Sequence, residues 1–462
     1  MLSRRGLITG AAALAAYSQM EDAEAVNRLL LLSGGVPSWV PNPANPPDFA
    51  INWAVNQAWK KVGGLLTPTA LGITTSRASV KQVRDAYGNW SKVAANVTAT
   101  SALGRSTEEA RTNSIPVNNM SGAVVGVLGS GGSLPTGWGV GYNGQPITGT
   151  VVGTGVENGI NYVDVNFSGT VTGLTQIFLF TLGTTAAAAS NGQNWASSAF
   201  LRMSGGSTSN ISGVQVGFTD RQAGGAGGTY GAFSTNTISG LGVAGIGSNR
   251  LSVIGTISDA SAAYAWQLLY VNSIAAGAIN ITLRIGWPQL ELGASVTSPI
   301  VTSGSALTRA ADLTTLSGVA TTGAAVTLFS QAAPQTPIAY GATQPVIALS
   351  DGTLNNRFQL YRGTTGTDGL TTVIGGSTQT IGNGTTWAQN ATGNLAASFA
   401  SGNQVESFNA NSVSGTLAGT LGGTTIYFGV RSDGGAFFDG LTLVDAVWLN
   451  QSVPSAQLRA MV

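Results

Sequence analysis

Between about residue 120 and residue 450 the chain repeats one texture. Short runs of alternating apolar and polar residues are separated by clusters of Gly, Ser, Thr and Asn. Val163, Val165 and Phe167 alternate with Asp164, Asn166 and Ser168, and Val214, Val216 and Phe218 with Gln215, Gly217 and Thr219. Ile279, Ile281, Leu283, Ile285 and Trp287 alternate with Asn280, Thr282, Arg284 and Gly286. Successive side chains of a strand point to opposite faces, so a period of two predicts strands with one buried face. Asn143-Gly144, Asn158-Gly159, Asn191-Gly192 and Asp351-Gly352 mark turns between such runs. The pattern predicts a mainly β chain built as antiparallel sandwiches. The stretch is too long for one sandwich, so two are expected, dividing near 300–320. No fixed-period repeat is visible, which argues against a solenoid or propeller.

The first 60 residues read differently, as an anchor. MLSRRGLITGAAALAA opens with Arg4-Arg5 and a short apolar stretch. It reads either as an Ala-rich helix continuing to Leu32, which we favour, or as a twin-arginine export signal with Ala13-Leu14-Ala15 at its cleavage site. Residues 33–50 carry prolines at 37, 41, 43, 46 and 47 and predict an extended arm. INWAVNQAWKKVGG, from Ile51, predicts a short helix. Tyr17, Trp39, Trp53 and Trp59 are expected to be exposed aromatics that dock into another protein. Residues 61–110 form a connector.

Composition narrows the chemistry. Gly is 65 of 462 residues, about twice the usual ~7%, and charged residues are 8% against ~25%. Cys and His are absent and the formal net charge is +1. A disulfide framework, a thiolate nucleophile, a Ser-His-Asp triad and a Cys/His zinc site are therefore excluded. A neutral chain does not offer an extended basic surface for nucleic acid. No calcium-loop spacing is present, so no metal and no cofactor are expected.

Glycoside hydrolysis needs two carboxylates across the sugar bond. The acidic residues here are sparse, several sit in turns, and no enzymatic activity is expected. Sugar binding uses an aromatic platform beside amide and carboxylate hydrogen-bonders. Trp138 and Tyr142 in a Gly-rich loop, Trp195 after Asn194, and Trp387 near Asn390 are candidate platform residues. For each tryptophan the competing reading is a core or inter-sheet aromatic, and it is the favoured one; Trp266, Trp287 and Trp448 are read as core. Arg111 and Asp312 bracket the first β domain and read as a structural pair, and Glu108-Glu109 as a solvated pair. The strand Arg357-Phe358-Gln359-Leu360-Tyr361 places Arg357, Gln359 and Tyr361 on one face and Phe358 and Leu360 on the other.

Three stretches together resemble tailed-bacteriophage structural proteins, namely head spikes, head fibres and tail fibres. The first is Gly88-Asn89-Trp90 followed by Glu108-Glu109-Ala110-Arg111-Thr112-Asn113. The second is Gln289-Leu290-Glu291-Leu292-Gly293 with Thr297-Ser298-Pro299-Ile300 and Thr308-Arg309-Ala310-Ala311-Asp312. The third is Phe438-Asp439-Gly440 with Trp448 and Val453-Pro454-Ser455-Ala456-Gln457-Leu458. Gly104-Arg105-Ser106-Thr107 stands where the family usually has an apolar pair. The resemblance implies a jelly roll of carbohydrate-binding-module type over 111–312 and a concanavalin-like, laminin-G-like sandwich over 313–462. It further implies a homotrimer on the exterior of the virion, held by its N-terminal region to other virion proteins and weakly adhesive to host-surface glycans, with no membrane partner. The alternative is a secreted bacterial glycan-binding or glycan-cleaving protein exported by the Arg4-Arg5 signal.

Overall fold

Asn158 and Gly159 both have positive φ, 51° and 79°, and join strand Ile147–Glu157 to strand Ile160–Val171 so that Glu157 faces Ile160. Asn-Gly tolerates that geometry, whose twist matches the flanking strands. The same logic repeats through the chain. The structure, a computed structural model, describes residues 36–462 except 43, 236, 239–240, 243–244 and 339. The expected N-terminal helix and Tyr17 lie outside the described residues. The described chain divides into two compact units, one of residues 76–99 and 108–312, the other of residues 36–75, 100–107 and 313–462.

The first unit is a sandwich. One sheet carries Ile147–Glu157, Ile160–Val171, Gly277–Leu292, Asn194–Gly206 and Arg250–Thr256 in that spatial order; the other carries Gln176–Phe180, Ala262–Ser273, Ile211–Gln222 and Gly227–Phe233. The alternating residues do what their period requires. Val163, Val165, Phe167, Ile281, Leu283 and Ile285 of one sheet share a buried core with Val214, Val216, Leu269 and Val271 of the other.

Two of the stretches singled out in the sequence, the one around Arg111–Asn113 and the one around Gln289–Asp312, meet in space. Arg111–Asn113 pairs antiparallel with Leu307–Arg309. Asn113 Oδ1 accepts from the Leu290 amide, and its Nδ2 donates to the Ile300 carbonyl. Asn118 Nδ2 donates to Pro288 and Ile300. Gln289 Oε1 accepts from the Ile300 amide at 2.7 Å, and Glu291 accepts from the amide and hydroxyl of Thr297.

Around this seam lies a buried ion network. Lys81 Nζ sits 3.0 Å from Glu108 and 2.6 Å from Asp312, Arg77 2.7 Å from Asp312, and Arg309 3.2 Å from Glu108. The amide and hydroxyl of Ser298 also donate to Glu108. Burial alone would raise the Glu108 carboxyl, but Arg309, Lys81 and Ser298 outweigh it and hold it down, at about 2. Glu108 is thus a buried ion partner rather than a solvated residue. Arg111 pairs with Glu109 and donates to the Leu292 carbonyl, whereas Asp312 is taken by Arg77 and Lys81.

The second unit is also a sandwich of two antiparallel sheets. The first includes Gln57–Lys60, Phe49–Asn52, Gly440–Leu449, Ala325–Pro334, Gly393–Ala400 and Asn403–Phe408 in order. The second is Ser377–Ile381, Asp368–Ile374, Arg357–Arg362, Gln344–Ser350, Thr425–Phe428, Leu313–Ser317 and Thr74–Ser76. Leu328, Phe399 and Val447 of one meet Ile347, Phe358, Leu360 and Ile426 of the other.

The expected helix from Ile51 is instead a β-hairpin. Phe49–Asn52 pairs with Gln57–Lys60, Asn56 turns at φ 51°, and Ile51 faces Asp445 of the last strand. An open sheet edge overrides the local helical spacing. Trp53 and Trp59 are consequently buried in this unit rather than exposed. The Trp53 indole N–H donates to Asp445 at 2.7 Å, and Trp39 packs half-buried on the cluster that holds Trp59. Arg105, in the segment Gly104–Thr107, is buried with its guanidinium 4.9 Å from the Trp53 ring centre.

Candidate ligand-binding groove

The strand Arg357–Arg362 behaves as its alternation requires. Phe358 and Leu360 enter the core, while Arg357, Gln359 and Tyr361 line a groove on the other face. The groove holds about 260 Å³, with Thr343, Pro345, Thr371, Thr380, Arg431 and Ala436 completing its walls. Strand pairing explains the row. Gln359 lies opposite Thr371, which lies opposite Thr380. Tyr361 lies opposite Gly369, and a Cβ at position 369 would come within 2.4 Å of the tyrosine Cζ, so only glycine lets the ring lie there. Burial raises the Tyr361 hydroxyl above its usual value.

Two guanidinium groups share this groove. Arg431 is clamped by Asp433, with Nε to Oδ1 at 2.7 Å and Nη2 to Oδ2 at 2.8 Å. Arg357 donates Nη1 to the Leu354 carbonyl, and its buried Nε has no hydrogen-bond partner. Burial, then repulsion from Arg431, lowers the Arg357 pKa, with Asp433 opposing. Gln359 is 3% exposed, and its Oε1 is buried without a partner. Buried polar atoms are nearly always paired, so each exception calls for a cause. A groove with guanidinium donors, an orphan amide carbonyl, threonine hydroxyls and one ring can hold a polar ligand. It contains no nucleophile paired with a base.

The candidate platform residues are elsewhere and do not converge. Trp138, Trp195 and Trp387 are buried, with indole N–H groups donating to the Val117 carbonyl, Gln193 and the Ala391 carbonyl. Each takes its core reading, because an indole with its one donor satisfied inside a sandwich presents no face to a sugar. Tyr142 is half-buried against the first unit's core; Asn390 is exposed in a turn of the second unit at φ 60°. Trp266, Trp287 and Trp448 are buried as expected. Arg431 and the threonines were missed because nothing in their neighbourhood distinguishes them from other turn and strand residues.

Two pairs of carboxyls meet. Glu406 lies beside Asp368, and burial, with the Asp368 charge, pushes Glu406 up to about 9. Asp220 lies near Asp259; burial raises Asp220, while the amides of Ser261 and Thr229 hold Asp259 down to about 2. Among the described residues no cluster of three or more potential metal ligands occurs, and no helix is long and apolar enough to cross a membrane.

No described protein family and no curated protein matches the chain in sequence. Among solved structures it is loosely similar to the Ruminococcus gnavus IT-sialidase carbohydrate-binding module CBM40 bound to alpha2,3 sialyllactose, at 15% identity and TM-score 0.26, over 30% of this chain and 83% of that one. Domains LG4-5 of the mouse laminin alpha1 chain match at 12% identity and TM-score 0.23, over 62% and 93%. Trypanosoma rangeli sialidase in complex with sialic acid matches at 10% identity and TM-score 0.24, over 69% and 68%.

Proposed function

We propose that this chain is a non-enzymatic display protein of a tailed-bacteriophage particle, a head spike, head fibre or tail fibre, that touches host-surface glycans through the groove of its second sandwich. The groove carries the adhesive half of this reading: its walls are polar on a sheet whose other face is core, and it holds a buried amide oxygen with no partner. The virion half is supported by the motifs. The lead-in and closing stretches that resemble the phage family are adjacent strands of one seam. Particle attachment falls to the residues before Val36, since Trp53 and Trp59 are core. Affinity per site is millimolar to high micromolar, and copies in a trimer supply avidity.

Three measurements test this. Cryo-electron microscopy of particles from a phage carrying the gene should place the protein on the exterior, and its absence from particles would sink the virion reading. Mass photometry should give a trimer, whereas a monomer at micromolar concentration would count against a fibre. The Arg4-Arg5 stretch favours the second reading, a secreted bacterial glycan-binding or glycan-cleaving protein, and mass spectrometry decides it: cleavage near Ala15 or Ala25 supports export, and an intact Met1 or Leu2 removes it.

A further inference from the structure

We infer that the groove recognises an acidic saccharide, one sugar whose carboxylate or sulfate lies against Arg357 and Arg431 while a hydroxyl donates to Gln359 Oε1. This deepens the glycan-binding reading and rests on it.

The argument begins with charge placement in a chain that has little charge. Two of its 20 basic residues line one groove, and no acidic residue lines it. Asp433 neutralises one guanidinium from outside the lining, and its bidentate pair uses Nε and Nη2 of Arg431, leaving Nη1 outside that pair. Arg357 has no carboxylate within ion-pair distance, and it donates to a backbone carbonyl. Like charges brought together in a partly desolvated groove repel. Leaving Arg357 there without a carboxylate is costly unless an anion relieves it. Carboxylates and sulfates accept from guanidinium forks with matching geometry, and such charge-assisted bonds are about twice as strong as neutral ones.

Gln359 supplies the second, independent observation. Its orphan Oε1 is an acceptor and repels an anion's oxygens, so it does not serve the charged group. It wants a donor, and a sugar hydroxyl is one. Tyr361 offers an apolar ring next to Gln359 on the same face, suited to the aliphatic face of a sugar. The volume of about 260 Å³ lies below the ~300–1,000 Å³ of sites for larger ligands, which fits one sugar ring rather than a long chain. One anion, one hydroxyl and one ring face together describe an acidic monosaccharide, in free or terminal position.

The test titrates the full chain with lactose, sulfated lactose, sialyllactose and glucuronic acid, followed by saturation-transfer NMR and calorimetry. Acidic ligands should bind about tenfold or more tightly than lactose, and that preference should shrink as salt is raised. Binding of the carboxylates alone, the sulfate alone or both supports the inference and identifies the anion. Arg357→Gln and Arg431→Gln should each remove most of the preference. Arg357→Lys keeps the charge without the fork and should recover only part of it. Gln359→Leu should weaken acidic ligands while keeping their preference over lactose. Each variant's melting point is measured alongside, and Arg357→Lys serves if a glutamine variant unfolds. Equal binding of acidic and neutral sugars, unchanged by the arginine variants, overturns this inference and leaves the glycan-binding reading standing. No binding of any sugar overturns both.

Discussion

Replacing Trp53 with alanine removes the side chain that ties the N-terminal hairpin into the second sandwich. Trp53 is fully buried, packs edge-on to Phe428 at 5.6 Å, lies beneath the Arg105 guanidinium, and donates its indole N–H to Asp445. Emptying a buried tryptophan site costs about 3–5 kcal/mol. Asp445 is itself fully buried, and losing its donor adds on the order of 1 kcal/mol or more. For a unit of this size each kcal/mol is worth about 2–4 °C, so a total loss of about 4–6 kcal/mol should lower the transition by roughly 8–24 °C. Trp53→Phe is the milder variant, because it keeps an aromatic ring while removing the N–H and part of the indole volume; a loss of about 1–3 kcal/mol is expected. Differential scanning calorimetry on the full chain is the assay, since ten tryptophans blur a fluorescence signal. If both variants unfold within ~0.5 kcal/mol of the parent, the range of neutral surface changes, Trp53 is not a core residue and the reasoning fails. A docking residue would behave that way, losing attachment and keeping stability.

Trp387→Ala should destabilise the second sandwich by about 3–5 kcal/mol, measured by urea unfolding, with glycan binding changed only as far as folding is. The Glu108 carboxyl titrates at about 2 when folded against 4.5 when free, so its contribution is complete above pH 4.5 and is lost as pH falls toward 2. That is worth up to about 3 kcal/mol and should flatten in Glu108→Gln, read as unfolding free energy against pH. Glu406 is shifted the other way, to about 9, so its contribution is present below pH 4.5 and is lost as pH rises toward 9. Glu406→Gln should remove that alkaline decline, and an unchanged slope would show that the Asp368 pair does not hold the proton.

The β class was legible because burial on one face imposes a period of two, and Val163, Val165, Phe167 and their counterparts obey it. The Asn-Gly turn at 158–159 was legible because few dipeptides accept two positive φ values. The hairpin at 49–60 was not. Ile51, Trp53, Ala58 and Trp59 fit helical and strand spacing alike, and what decides is the edge of Gly440–Leu449, nearly 400 residues away in sequence. The polar row Arg357, Gln359, Tyr361 was visible in one strand, but its walls come from strands and turns that only the sheet order brings together. The tryptophans misled for a simple reason: a loop-rich neighbourhood suggests exposure, yet the indole folds back under the loop.

Part of the charge that this chain carries is spent inside it, in buried ion pairs. Arg77, Lys81, Arg105 and Arg309 are all within 1% of full burial, and each faces a buried carboxylate, Glu108, Asp312 or Asp445. Such pairs add little net stability, because desolvating both partners offsets their attraction, but losing one partner costs several kcal/mol. Their value is therefore in selection rather than strength. A sequence made of many similar alternating runs specifies strand register weakly, since one run of Val, Thr and Gly pairs about as well as another. A buried cation admits only the arrangement that brings its carboxylate. Lys81 forces the segment near residue 81 to meet both Glu108 and Asp312, and Arg105 forces its segment to meet Asp445. Ion pairs thus fix which distant segments close each sandwich, and hydrophobic burial then supplies the energy. Arg357 and Arg431 do not follow this pattern, for they face a groove and no carboxylate has been built in for Arg357. Arg362, also buried without a carboxylate, is satisfied by the Trp387 and Pro337 carbonyls, Thr336 and Gln344, whereas Arg357 faces the groove with one carbonyl contact and a buried Nε that has no partner, and that difference is why an anion is assigned to it as a ligand.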